Sequence, residues 1–204
     1  MSGRDEILAR VRAASSHGVP HPGAHPAPAL PATPEAFRAA LVTAGGELEG
    51  PLGLALLREA AVRRASAWAP TGRVVTTSRA GSLLGPGPWE TADPNAPPET
   101  FADVALALAT GQLAVAENGA VAVLGADVPE RSLLHLAERL ILLVPAAGLV
   151  ADLHSAFRAL PGNALDAHHL TWIAGPSKTA DIEQTLVHGA HGPRALTVLL
   201  HGAE

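Results

Sequence analysis

The run Leu140-Ile-Leu-Leu-Val-Pro145 constrains this chain more than any other segment. It is apolar throughout, so as a strand it must be covered on both faces, which is the habit of parallel sheets. It is strand-length and far short of the ~20 apolar residues needed to cross a bilayer, so no membrane span is expected. Around it the second half of the chain alternates. Helices are expected over 129–139, 149–160 and 179–188, and further strands over 170–174 and 195–200. Strands joined by helical crossovers pair in parallel with right-handed connections. The fold class expected is α/β, a mainly parallel sheet covered by helices.

The first half reads differently. A short amphipathic helix is expected over 2–14, where Ile7, Leu8 and Val11 alternate with charges. Prolines at 20, 22, 26, 28, 31 and 34, with Gly18 and Gly23, make 17–34 a linker, because each proline removes a backbone donor and fixes φ. The chain is therefore expected to divide into an N-terminal helix with its Pro-rich linker, 1–32, and an α/β domain, 33–204. Thr33 and Pro34 suit the cap and first position of a helix through Phe37, Leu41 and Val42 that Gly45-Gly46 ends. A second helix is expected over 52–68, a strand over 73–78, a long loop over 81–98 and a short helix over 103–109. Residues 113–117 and 120–124 should form an antiparallel pair around a type I′ turn at Asn118-Gly119.

None of the 204 residues is a cysteine, which excludes disulfides, cysteine-ligated zinc or iron–sulfur clusters and a thiol nucleophile from this chain. No cofactor is expected in it, and electrons in any redox chemistry belong to another molecule. A net charge of −5, from 14 Lys and Arg against 19 Asp and Glu, argues against a nucleic-acid partner, as does the absence of tyrosine stacking platforms. His17, His21 and His25 recur every fourth position, but the prolines between them forbid the helix that would align them. His168 and His169 point to opposite sides of an extended chain, and no obligatory metal is expected. The segment 1–12 scatters charges where a secretory signal has an apolar run, so a cytoplasmic location is expected.

Open parallel sheets bind ligands beyond the carboxyl ends of their strands. Gly175-Pro176-Ser177-Lys178-Thr179 follows an expected strand and opens an expected helix. Two readings stand. One is a phosphate or carboxylate cradle of backbone donors, the Lys178 charge and the hydroxyls of Ser177 and Thr179. The other is an ordinary helix start, with a hydroxyl cap and Asp181 at the positive end of the dipole. Asp181 and Glu183 stand about 200° apart on a helix and cannot both face one ligand. Glu117 reads either as a general base or nucleophile or as a solvated hairpin tip. His188-Gly-Ala-His191-Gly192-Pro-Arg194 reads first as a structural turn, placed by topology at the edge opposite the Gly175 loop.

Together these residues carry a resemblance. Thr171 to Leu200, TWIAGPSKTADIEQTLVHGAHGPRALTVLL, strongly resembles the C-terminal signature of the lactate utilisation protein C family, within the LUD-domain superfamily. Ala114 to Gly125, AVAENGAVAVLG, is similar to that family's hairpin, with Asn118 in place of the usual threonine. The resemblance implies a fold like ribose-5-phosphate isomerase, CoA transferases and formyltetrahydrofolate cyclo-ligase, with a strand-end pocket. It also implies a role in oxidising L-lactate to pyruvate beside two partner proteins that carry iron–sulfur motifs. Residue by residue it points to Glu117 as a catalytic position and to Asn118, Gly119, Gly175, Ser177, Lys178, Thr179 and Asp181 as ligand-binding positions. Glu183, His191, Gly192 and Arg194 become structural or interface positions, with one of the acids at 181 and 183 pairing with Arg194 or another base. The expected function is an accessory subunit that binds a small anion and docks the iron–sulfur partners. The alternative is a stand-alone enzyme acting on a sugar phosphate or CoA-like substrate, with Glu117 as base and Lys178 clamping the anion. A homo-oligomer is compatible with either.

Overall fold

The expected N-terminal helix forms as α1 (Gly3–Ala14), with no residue buried. The Pro-rich stretch falls largely outside the described residues, which in this computed structural model are 3–14, 23, 30–162, 169–179 and 185–202. α2 (Pro34–Thr43) begins where its cap is written: the Thr33 hydroxyl accepts a hydrogen bond from Ala36 N at 3.3 Å. Thr33→Ala is expected to cost about 1 kcal/mol in urea unfolding, and Thr33→Ser to retain most of it.

A strand that the sequence does not announce, β1 (Glu47–Leu52), lies between α2 and α3 (Leu54–Trp68). Gly50 and Pro51 disguise it. Both are poor strand residues, tolerated here because β1 is an edge of its sheet. β2 (Arg73–Thr76) is shorter than expected because Thr77 turns to cap α4 (Ser78–Leu84), accepting from Ala80 N at 3.5 Å. The long loop expected over 81–98 thus holds the end of α4 and a short strand, β3 (Glu90–Thr91), parallel to β2.

The largest correction concerns 103–109, expected as a helix and found as β4 (Val104–Thr110). Alanine and leucine are strong helix formers, but here they alternate with period two. Leu106 and Leu108 enter one core while Ala107 and Ala109 enter the other. Parallel pairing with neighbours on both sides overrides local propensity.

β5 (Leu113–Val115) and β6 (Val121–Leu124) pair antiparallel as expected. Their connection is longer than a two-residue type I′ turn. Val115 N donates to Ala120 O at 2.8 Å across four intervening residues, and Asn118 Oδ1 accepts from Ala120 N at 3.0 Å. Of the helix expected over 129–139 only α5 (Leu133–Leu136) forms, because Glu138 N already donates to Val104 O and Arg139 opens β7 (Arg139–Pro145). The helix expected over 149–160 is preceded by β8 (Leu149–Val150), so α6 (Leu153–Ala159) starts later, capped by Asp152.

β9 (Leu170–Ile173) forms where expected but pairs antiparallel with β6 instead of joining β7. The helix expected over 179–188 is replaced at both its described ends by an antiparallel pair, β10 (Lys178–Thr179) and β11 (Val187–His188). β12 (Ala195–His201) closes the chain as expected.

The architecture is α/β. A six-stranded sheet runs in the order β1-β12-β7-β4-β2-β3, with all of its pairs parallel. A second sheet runs β8-β5-β6-β9. One face of the large sheet packs on α3 and α4 through Leu57, Ala61 and Leu84. Its other face shares a core with α2, α5 and the small sheet, including Phe37, Leu41, Val121 and Leu142. The far face of the small sheet packs on α6 through Ala156.

Candidate functional site

Two motifs expected at opposite edges meet at one residue. Ser177 N donates to Pro193 O at 2.8 Å, Gly189 N donates to Ser177 O at 3.0 Å, and His191 N donates to Ser177 Oγ at 3.4 Å. The chain folds back through β10 and β11, and this return brings Gly175 and Ser177 against His191 and Gly192. Together with Thr171, Trp172 and His135 they line a cavity of about 200 Å³. Leu140 and Leu196 form part of its wall, so it sits at the amino ends of β7 and β12, not beyond a carboxyl end of the parallel sheet.

The other sequence-derived positions are placed elsewhere. Lys178 Nζ donates to Ala44 O at 2.5 Å, setting a cation on the carbonyl end of α2. Thr179 pairs with Val187 in the β10–β11 ladder. Among the described residues, Lys178 and Thr179 form β10 and do not open a helix. Asp181 and Glu183 lie outside the described residues. Arg194 meets Glu138, through Nε at 3.6 Å and through its backbone N at 2.8 Å to Glu138 O.

Glu117 is exposed, and its Oε2 accepts from Leu153 N at 3.1 Å, so it caps the first turn of α6 beside Asp152. The Ser155 amide bond to Asp152 holds that carboxyl below its usual pKa. Glu117 and Asn118 edge a separate surface hollow against Ala40, Thr43 and Ala44 of α2 and its cap. Gly119, at φ +71°, abuts the Leu41 backbone.

Sequence reasoning missed a second cavity, of about 220 Å³, at the carboxyl ends of β4, β7 and β12. Thr110, Pro145 and His201 line it, with Arg79 and Gln112. Arg79 forms an ion pair with Asp127, which also accepts from Gln112 Nε2 at 2.8 Å. The Thr110 hydroxyl is buried without a hydrogen-bond partner. Burial lowers the pKa of His201. The signal that could have found these residues was the strand at 104–110: reading it as a helix removed Thr110-Gly111-Gln112 from the strand ends where ligands are sought. Among the described residues, no group of three His, Asp or Glu side chains is placed to hold a metal ion. No helix among them is long and apolar enough to cross a membrane.

Comparison with known proteins gives a consistent set. The LUD domain family matches residues 95–201. Lactate utilization protein C of Deinococcus radiodurans is 32% identical over 125 residues, covering 57% of this chain and 59% of that protein. Lactate utilization protein C of Shouchella clausii is 35% identical over 97 residues, covering 46% of this chain and 38% of that protein. The chain thus matches less than two thirds of the length of these curated relatives. A crystal structure of a DUF162 family protein from Deinococcus radiodurans is similar with a TM-score of 0.64 at 18% identity, over 82% of this chain and 95% of that one.

Proposed function

This chain belongs to the LUD domain family, and on that premise we propose that it serves lactate utilisation as an accessory, anion-binding subunit. In this reading it acts in the cytoplasm beside iron–sulfur proteins that carry the electrons as L-lactate is oxidised to pyruvate. The observation that carries it is the convergence on Ser177, which joins the two most distinctive motifs of the chain around one small cavity. Ser177 Oγ accepts from the His191 amide and keeps its own proton to donate. His135 and His191 line the same cavity beside Thr171 and apolar residues such as Leu134 and Leu140. A cavity of about 200 Å³ suits an anion of a few non-hydrogen atoms and is too small for a CoA-sized ligand.

The relatives named for lactate utilisation supply the pathway. The absence of cysteine supplies the division of labour, since thiolate-held clusters must sit in other chains. A catalytic Glu117 would have to leave Leu153 N, and a Lys178 clamp would have to leave Ala44 O, so the stand-alone enzyme finds less support.

The test is reconstitution with the iron–sulfur lactate-oxidation proteins of the same organism. The chain is expected to co-purify with them, and its omission to lower lactate-dependent dye reduction. Full lactate oxidation by the partners alone, with no association, would refute the role.

A further inference from the structure

The strand that borders the Ser177 cavity has one edge open. The two larger sheets end on β1, β3, β8 and β9, and three of these edges are blunt. β3 and β8 are two residues long, and β1 carries Glu47, Glu49 and Pro51. β9 differs: Leu170-Thr-Trp-Ile173 has neither a charge nor a proline, and its residues are half-buried where those of β5 and β6 are buried. Such an edge templates pairing with another chain, and folds that make no use of it blunt it. The antiparallel register with β6 identifies the free groups. Gly125 N donates to His169 O at 2.8 Å and Val123 lies opposite Thr171, so His169, Thr171 and Ile173 turn their amides and carbonyls toward β6. Those of Leu170 and Trp172 point outward, where no described strand meets them.

The two faces beside that edge differ in chemistry. Leu170 and Trp172 turn to the core under α6, where Trp172 meets Phe157 with ring centroids 5.6 Å apart, and Phe157 is 53% exposed. Ile173 turns to the opposite core, and with Thr171 it lines the Ser177 cavity. A strand added to β9 therefore places successive side chains alternately on the aromatic pair and at the cavity. Charge sorts them further. No Asp or Glu lines the cavity, which offers the proton of the Ser177 hydroxyl beside His135 and His191. Arg194 lines the adjoining hollow with the same two histidines, and its exposed side chain meets Glu138 through Nε alone, at 3.6 Å. Arg158, beside Phe157, donates to the Ser155 hydroxyl and pairs with no carboxylate among the described residues. The surroundings of the edge thus favour acidic side chains over basic ones.

We propose that β9 takes up an extended segment of another protein chain as a fifth strand of its sheet, with acidic residues facing the Ser177 cavity and an apolar residue between them on Trp172 and Phe157. This rests on the reading that the cavity takes a small anion, and it names that anion as a side-chain carboxylate of the protein to which the subunit docks. Main-chain bonds to Leu170 and Trp172 supply affinity, and the alternation of the two faces supplies selectivity.

The test titrates the full chain into a fluorescein-labelled peptide, Gly-Asp-Phe-Asp-Val-Asp-Gly, and reads anisotropy. Saturable binding is expected. Two control peptides are expected to bind about tenfold or more weakly: the same sequence N-methylated throughout, which keeps the side chains and removes the donors, and Gly-Asp-Asp-Asp-Phe-Val-Gly, which keeps the charge and loses the alternation. Leu170→Pro removes an outward N–H and spares the bonds to β6, since an edge strand tolerates proline on its open side. It is expected to abolish binding in a folded chain, and should it unfold the chain the N-methylated peptide still decides. Phe157→Ser and Ser177→Ala are each expected to weaken binding severalfold. The proposal is overturned by absence of saturable binding, by either control peptide binding as tightly, by binding unchanged in Leu170→Pro, or by binding unchanged in Ser177→Ala, which would put the acid outside the cavity. A dimer of the free chain that Leu170→Pro dissociates would assign the edge to a second copy and overturn it equally. Acetate binding that Ser177→Ala abolishes, with no peptide binding, would sink this inference and leave the anion reading standing, whereas that reading falls by the reconstitution described above.

Discussion

Replacing Gly175 by alanine is expected to lower the unfolding free energy by about 3 kcal/mol. Gly175 has φ +79°, and a Cβ there would lie 2.3 Å from Ala44 O and 2.9 Å from the Ala44 carbonyl carbon. The left-handed backbone costs a non-glycine residue roughly 1–2 kcal/mol. Overpacking against a fixed neighbour adds roughly 1–3 kcal/mol. The neighbour is fixed because it is backbone, the cap of α2, and because its oxygen also accepts from Lys178 Nζ. A loop pushed off Ala44 carries Ser177 with it and breaks the bonds to Gly189, His191 and Pro193. Urea unfolding reads the stability and the His191 amide shift reads the cavity. A loss under about 1 kcal/mol with an unmoved His191 amide would show that α2 does not template the loop.

Phe37→Ala is expected to cost about 3–5 kcal/mol, the range for truncating a buried aromatic. Phe37 is fully buried on α2, in the core shared by both sheets, with Ala109, Val121 and Leu142 in the same cluster. Phe37→Leu keeps most of the volume and is expected to cost less than about 1.5 kcal/mol. The consequence reaches the candidate sites, because α2 lies before residue 95, where the family match begins, yet both motif loops rest on it. Gly175 abuts Ala44, and a Cβ on Gly119 would lie 2.6 Å from Leu41 N. Phe37→Ala should therefore loosen both loops. Hydrogen exchange of the Gly119 and Ser177 amides, whose acceptors are Val115 O and Pro193 O, is expected to quicken together. Stability loss without that quickening would make α2 a passive cover.

What was legible in the sequence was local. The Thr33 cap, the apolar β7 run and the β5–β6 pair each declare themselves within a dozen residues. β4 did not, because its Leu–Ala alternation satisfies a helix by propensity and a buried strand by period. The stretch 178–188 did not either. Lys178 and Thr179 look like a helix start by residue type, but their backbone goes to Val187 and His188. The candidate site was half legible: Ser177, Gly192 and His191 were found as motif residues, while their meeting was not. Thr110 and Gln112 were hidden behind the misread strand, and Arg79 lay in α4, a helix the sequence did not announce.

By itself the sequence determined the class of fold, through strand-length apolar runs alternating with helical ones. It also determined that this sequence offers no thiolate ligand and no thiol nucleophile, since composition excludes a residue type whatever the fold. Only the tertiary structure decided which motifs meet and at which edge of the sheet. The bond from Lys178 to Ala44 spans 134 positions and that from His191 to Ser177 spans 14. A period of 2 or 3.6 residues encodes which face of an element is buried, but not which distant loop will cover it.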